Sequence, residues 1–139
     1  MKPWLAWSLG SAGFAALTAI FGKIGVEKVD TNLANAIRTV VVVVFAFAIA
    51  AGTGAFSQWR ELSGRTWLFL VLSGLATGAS WLCYYRALQI GEASRVAPVD
   101  KLSVVFTVLL AALFLGEALT PRVLAGVALM FVGALLLVK

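Results

Sequence analysis

A chain of 139 residues that is 62% hydrophobic, with a mean hydropathy of +1.01, carries more apolar side chain than a water-soluble domain buries, so the excess must face lipid. Its net charge of +5 comes from Lys and Arg that fall mainly between apolar runs, which argues against a nucleic-acid-binding stripe. With no histidine, a lone Cys83 inside an apolar segment and six carboxylates, the chain cannot assemble the usual zinc, Ser-His-Asp or Cys-His constellations, so no metal, cofactor or hydrolytic chemistry is expected.

A helix rises about 1.5 Å per residue and the hydrocarbon core is about 30 Å thick, so roughly 20 apolar residues make one crossing. Five segments qualify. Within lipid the backbone must satisfy its own hydrogen bonds, which predicts an all-α integral membrane protein of five transmembrane helices in one domain over residues 1–139.

The first segment, Trp4 to Phe21, is too long for a signal-peptide core, and "GKIGVEKVDTN" after it offers no small-residue cleavage site, so it reads as a retained span. Ser8, Ser11 and Thr18 fall roughly on one side of it. The second, Leu33 to Ala51, carries Asn35 and Arg38 near its start, and the polar stretch "GTGAFSQWRELSGRT" after it reads as a loop. In the third, Trp67 to Ile90, an advance of about 100° per residue puts Ser73, Thr77, Ser80 and Tyr84 on one narrow stripe, with Gly74 and Gly78 at GxxxG spacing. Gly91 reads as its stop.

The fourth, Val96 to Leu115, is expected to hold Pro98 in its first turn and to line up Asp100, Ser103 and Thr107, with Lys101 beside the carboxylate and Gly116 as its stop. Thr120-Pro121 reads as an N-cap and first helical position for the fifth, Arg122 to Val138, whose Gly126 and Gly133 lie seven apart on one face. Trp4, Trp7, Trp59 and Trp67 mark one membrane face as interfacial aromatics do.

Orientation normally follows an excess of cytoplasmic Lys and Arg. Outside the spans, the tryptophan-rich face has Lys2, Arg60, Arg65 and Arg122, and the other has Lys23, Lys28, Arg95 and Lys139, four against four. Either Arg38 and Arg86, near the second face, break the tie, or the chain inserts both ways. An odd number of helices makes a tandem second copy inverted automatically, which is the inverted-repeat plan of many transporters. One five-helix unit is half of that plan, and an oppositely inserted copy of itself could supply the rest.

Three helices each offer a polar stripe, which lipid would penalise and a cavity would accept, unless the hydroxyls bond back to their own helix backbones. Arg38, Arg86, Asp100 and Lys101 all fall within one or two turns of the same mouth, where Asn35, Tyr84 and Tyr85 join them. The surplus of positive charge favours an anion or the carboxylate end of a zwitterion. The competing reading is that Arg86 and Lys101 snorkel to headgroups and Asp100 serves the dipole of the fourth helix. Gly74 and Gly78, like Gly126 and Gly133, let helix backbones approach closely, and Glu117 is expected to anchor a loop.

The run "YYRALQIGEASRVAPVDKLSVVFTVLLAALFLGEALTPRVLAGVALMFVGALLL", residues 84–137, resembles the EamA-type repeat of the drug/metabolite transporter superfamily, in its short five-helix bacterial and archaeal members. The matching pieces are "YYRAL", "ASRVAPVDKLS", "LFLGEALT" and "GVALMFVGALLL" in the family's order; the first two helices match in general pattern. The resemblance implies a polytopic inner-membrane carrier of small metabolites, with ten-helix relatives built from two inverted copies, and the seven-residue glycine spacing is similar to the dimer stripe of the small multidrug exporters, which implies a subunit contact through Gly126 and Gly133. Those exporters use a membrane-embedded Glu in their first helix, and the first span here has no carboxylate, so their proton-coupled cation exchange is not expected. The sequence therefore predicts a non-enzymatic transporter of small metabolites working by alternating access as an antiparallel homodimer. Its binding residues would be drawn from Ser11, Arg38, Ser80, Tyr84, Asp100, Ser103 and Thr107. The alternative is a non-transporting partner subunit or assembly factor for another membrane protein.

Overall fold

The computed structural model of the chain describes residues 2–138, so Lys139 of the charge tally lies outside the described residues. Its elements in chain order are α1 (Pro3–Gly25), α2 (Thr31–Gly52), a 3₁₀ helix (Ala55–Glu61), α3 (Gly64–Ile90), α4 (Ala93–Asp100), α5 (Ser103–Leu115) and α6 (Pro121–Val138), with no strand among the described residues. Five stretches are long and apolar enough to cross a membrane, the fourth being Ala93–Leu115, made of α4 and α5. The protein is an all-α multi-pass membrane protein.

Local chemistry explains where the helices begin and end. Asp30 caps α2, its carboxylate accepting from the backbone N–H of Asn32 at 2.9 Å and Leu33 at 3.2 Å. Ser63 does the same for α3, accepting from Thr66 N–H at 3.1 Å, and so starts that helix three residues before Trp67. Thr120 caps α6 through its hydroxyl, which accepts from Val123 N–H at 3.3 Å. Gly116 ends α5 at φ 68, a left-handed conformation that a side chain would strain, and its N–H donates to Ala111 O. The loop expected after α2 contains the 3₁₀ helix, held by a run of rings: Phe47 on Phe56 at 5.7 Å, Phe56 to Trp59 at 6.5 Å, and Trp59 edge-on to Trp67 at 5.0 Å.

The fourth span departs from expectation. It starts at Ala93, because the N–H groups of Arg95 and Val96 already bond back to Glu92 O, so Pro98 is interior and not in the first turn. A proline there has no N–H to offer Ser94 O, and its ring crowds that carbonyl. Just downstream the ladder tightens: Leu102, Val104 and Val105 donate to the residue three before, at 3.0, 3.0 and 2.9 Å, and the helix is interrupted at Lys101 and Leu102.

The chain divides into two compact units, one formed by Phe21–Gln89 and one by Met1–Ile20 with Ile90–Lys139. In the first, Val26 and Leu88 are fully buried and Tyr85, Thr31 and Asn35 nearly so; in the second, Ala19 and Ala134 are buried and α6 packs on α4 and α5. Few apolar side chains are buried among the described residues, and within the five spans between 0% and 11% of the most apolar window is covered. That is expected where lipid, or another copy, meets the helix faces.

Candidate functional site

Within the unit Phe21–Gln89 the ends of α1 and α3 are bound to each other by side chains that donate to backbone. Lys23 Nζ donates to Leu88 O at 2.7 Å, and Gln89 Nε2 donates to Val26 O at 3.2 Å and Val29 O at 3.0 Å. Leu88 O is one of the carbonyls that the end of α3 leaves open, and Val26 O and Val29 O lie in the connection between α1 and α2. Gly22 faces this junction: a Cβ there would lie 3.4 Å from Leu88 Cδ1 and 3.6 Å from the Tyr85 hydroxyl, so a methyl fits at contact distance and a larger side chain does not. Arg86 is held on its own helix, donating to Gln89 Oε1 at 2.6 Å, and stays exposed.

One turn inward, Arg38 of α2 stacks its guanidinium on the Trp81 ring at 3.8 Å, with the Tyr85 ring at 5.4 Å. Arg38 is the eighth residue of α2, ~10 Å along the helix from its start at 1.5 Å per residue. A charged group at that depth is costly unless it is paired or serves a site, and the aromatic face supplies part of that stabilisation by cation–π attraction. The Nη1 of Arg38 and the Oδ1 of Asn35 one turn before it are buried and have no hydrogen-bond partner among the described residues. Leaving each unsatisfied costs roughly 1–3 kcal/mol. Of the other sequence-selected residues in this unit, Tyr84 is half-buried and engaged, and Ser80 is exposed on α3.

In the second unit, Asp100 closes α4 and pairs with the adjacent Lys101 at 3.2 Å, the carboxylate side chain 34% exposed and the ammonium side chain 55%. They sit at the interruption of the fourth span. Ser103 begins α5, and its carbonyl accepts from Thr107 Oγ1 at 2.9 Å; Thr18 and Ser8 on α1 likewise donate to Phe14 O and Trp4 O, whereas Ser11 is exposed. A hydroxyl that donates inward keeps its lone pairs for a ligand donor.

The glycines chosen for packing present open space: no atom lies within 4 Å of a Cβ built on Gly74, Gly78, Gly126 or Gly133. Farther along α2, an apolar cavity of about 320 Å³ is lined by Phe47, Phe56, Trp59 and Leu62 together with Ala46 and Ala50. It offers little polar chemistry and lies about two turns beyond Arg38. Sequence reasoning missed Trp81, Lys23 and Gln89, whose roles depend on which faces of α1, α2 and α3 meet. Asp30 carried a readable signal, an Asp-Thr-Asn run ahead of an apolar segment.

Comparison with known proteins gives the family. The model of the EamA-like transporter family matches residues 2–139. An "Uncharacterized transporter in cobO 3'region" from Sinorhizobium sp. is 55% identical over 136 residues, covering 98% of this chain and 96% of that protein. The "Uncharacterized transporter YvbV" of Bacillus subtilis (strain 168) is 32% identical over 124 residues, 88% of this chain but 40% of that protein. No solved structure matches the chain. A family match along nearly the whole length, on five membrane-crossing helices, makes this chain a member of the EamA-like transporter family and a multi-pass membrane transporter.

Proposed function

We propose that the chain carries small metabolites with an anionic group across the cytoplasmic membrane by alternating access, as an antiparallel homodimer. The observation that carries the substrate half of this reading is Arg38, a cation one turn from the buried Asn35 and stacked on Trp81, with a buried nitrogen that has no partner among the described residues. A guanidinium held this way presents a planar fork matched to a carboxylate or phosphate. Tyr84 and Ser80 on α3 add polar groups to the same unit. In the other unit, Asp100, Ser103 and Thr107 lie along the interrupted fourth span and Ser11 on α1, and we assign each to the substrate path of its own helix. Interrupted helices recur at transporter binding sites because they free backbone groups for a ligand and can flex.

The dimer half rests on three supports. The loop charges are balanced, the open glycine face of α6 leaves room for close helix approach, and the segment matched in the Bacillus relative is 40% of that protein, which leaves room there for a second such unit. We assign Gly126 and Gly133 to the contact between copies and Gly74 and Gly78 to close packing of α3.

Counterflow in proteoliposomes tests the reading, with a panel of labelled small carboxylates and amino acids. Arg38→Ala and Asp100→Asn should each lower flux at least tenfold while helicity and thermal midpoint stay within error of the parent. Wild-type flux in both variants would remove these residues as the site, and no flux from the purified chain would favour a partner subunit.

A further inference from the structure

Arg38 Nη1 and Asn35 Oδ1 are buried orphans of opposite sense, a donor and an acceptor. They lie three residues apart on α2, so their Cβ atoms are ~5–6 Å apart on one face of the helix. Asn35 is 8% exposed, and its neighbour Thr39 is already committed, its hydroxyl donating to Asn35 O at 2.7 Å. The guanidinium carbon of Arg38 lies 3.8 Å over the Trp81 ring, so the indole closes one side of the group and leaves a ligand to approach from the others. A simple carboxylate can satisfy the arginine and leave the amide oxygen orphaned. A simple amine or alcohol does the reverse. Both are satisfied together by a molecule with a carboxylate and a hydrogen-bond donor on adjacent carbons.

We propose that Asn35 and Trp81 are specificity residues of this carrier. Trp81 holds the arginine fork edge-on to a ligand carboxylate, and Asn35 Oδ1 accepts from a hydroxyl or ammonium on the neighbouring carbon, selecting small 2-hydroxy- or 2-amino-carboxylates. This rests on the reading of Arg38 as the ligand of an anionic group. Selection by an unpaired buried acceptor is strong, because an analogue lacking the donor leaves that acceptor unsatisfied in a dry site.

Propionate, lactate and alanine share a three-carbon skeleton and differ only in the group beside the carboxylate, so calorimetric binding of each to the full chain in nanodiscs reads the assignment directly. Lactate, alanine or both should bind at least tenfold more tightly than propionate, and which of them does separates hydroxyl from ammonium as the donor. Asn35→Leu should bring the ratio to about one without lowering the thermal midpoint, and Asn35→Asp, which keeps an acceptor, should preserve a preference. Trp81→Leu should weaken the tighter ligand at least tenfold, and Trp81→Phe should restore most of that loss. Equal affinity for all three probes, with each lost in Arg38→Ala, would overturn the selection by Asn35 and leave the carrier reading standing. An unchanged ratio in Asn35→Leu would likewise overturn it. Binding of none of the three would overturn the ligand class, and if flux were also independent of Arg38 the carrier reading would fall with it.

Discussion

Arg38 and Trp81 show how much a single cross-helix contact adds to what a sequence says. An arginine in the second turn of an apolar segment is conspicuous in sequence, and its depth alone marks it as functional or snorkelling. Which of the two applies depends on what stands opposite, and the partner is a tryptophan forty-three positions away with no signal of its own. Arg38→Lys should therefore behave as a severe change: a lysine keeps the charge but loses the planar fork and most of the ring stacking, and counterflow should fall about tenfold or more. Capping residues are simpler, because their chemistry is local. Asp30→Ala removes the acceptor for Asn32 and Leu33 N–H and should cost about 1 kcal/mol, read as a lower thermal midpoint with flux per folded molecule unchanged. Gly22→Leu should cost ~1–3 kcal/mol by overpacking against Leu88 and Tyr85, whereas Gly22→Ala, whose methyl meets Leu88 at ordinary contact distance, should be mild.

The helices themselves were legible because the period of apolar residues and the length of a bilayer constrain them jointly, and the caps at Thr120 and Gly116 follow from residue type alone. The break in the fourth span was not. An apolar run through Asp100 and Lys101 reads as one crossing, and Pro98 looks harmless if the helix begins at Val96; beginning at Ala93 moves the proline to an interior position, and the next turn tightens to bonds three residues back. The tightened ladder from Leu102 to Val105 is where α4 and α5 can bend against each other. Pro98→Ala should restore the bond to Ser94 O, fuse α4 with α5 and raise the thermal midpoint. Alternating access predicts that the same variant transports more slowly, by about threefold or more in proteoliposome flux; unchanged flux would show that the bend is only structural. The glycine face of α6 makes a prediction of its own kind. Gly126→Leu with Gly133→Leu should abolish cross-linking between copies while leaving each chain helical.

At the scale of the molecule, the exposed apolar surface and the even loop charges point the same way. Trp4, Leu5, Phe14, Phe106, Phe114 and Leu129 are all exposed, which lipid, or the apolar face of a second copy, accommodates. The family membership supports a membrane transporter, and the segment matched in the Bacillus relative is 40% of that protein. A pair of opposite orientation requires that insertion not be strongly biased, and the tally of four cations on each face outside the spans expected from sequence, with Arg38 and Arg86 left aside, favours such a pair. Three lysines added to the Gly91–Glu92 connection should fix one orientation and abolish flux, and co-expression with a copy fixed the other way should restore it. The most direct measurement is the topology of the C-terminus, read with one reporter active only inside the cell and another active only outside. Signal from both reporters is the expected result, and signal from one alone would contradict the pairing of this chain with an inverted copy of itself.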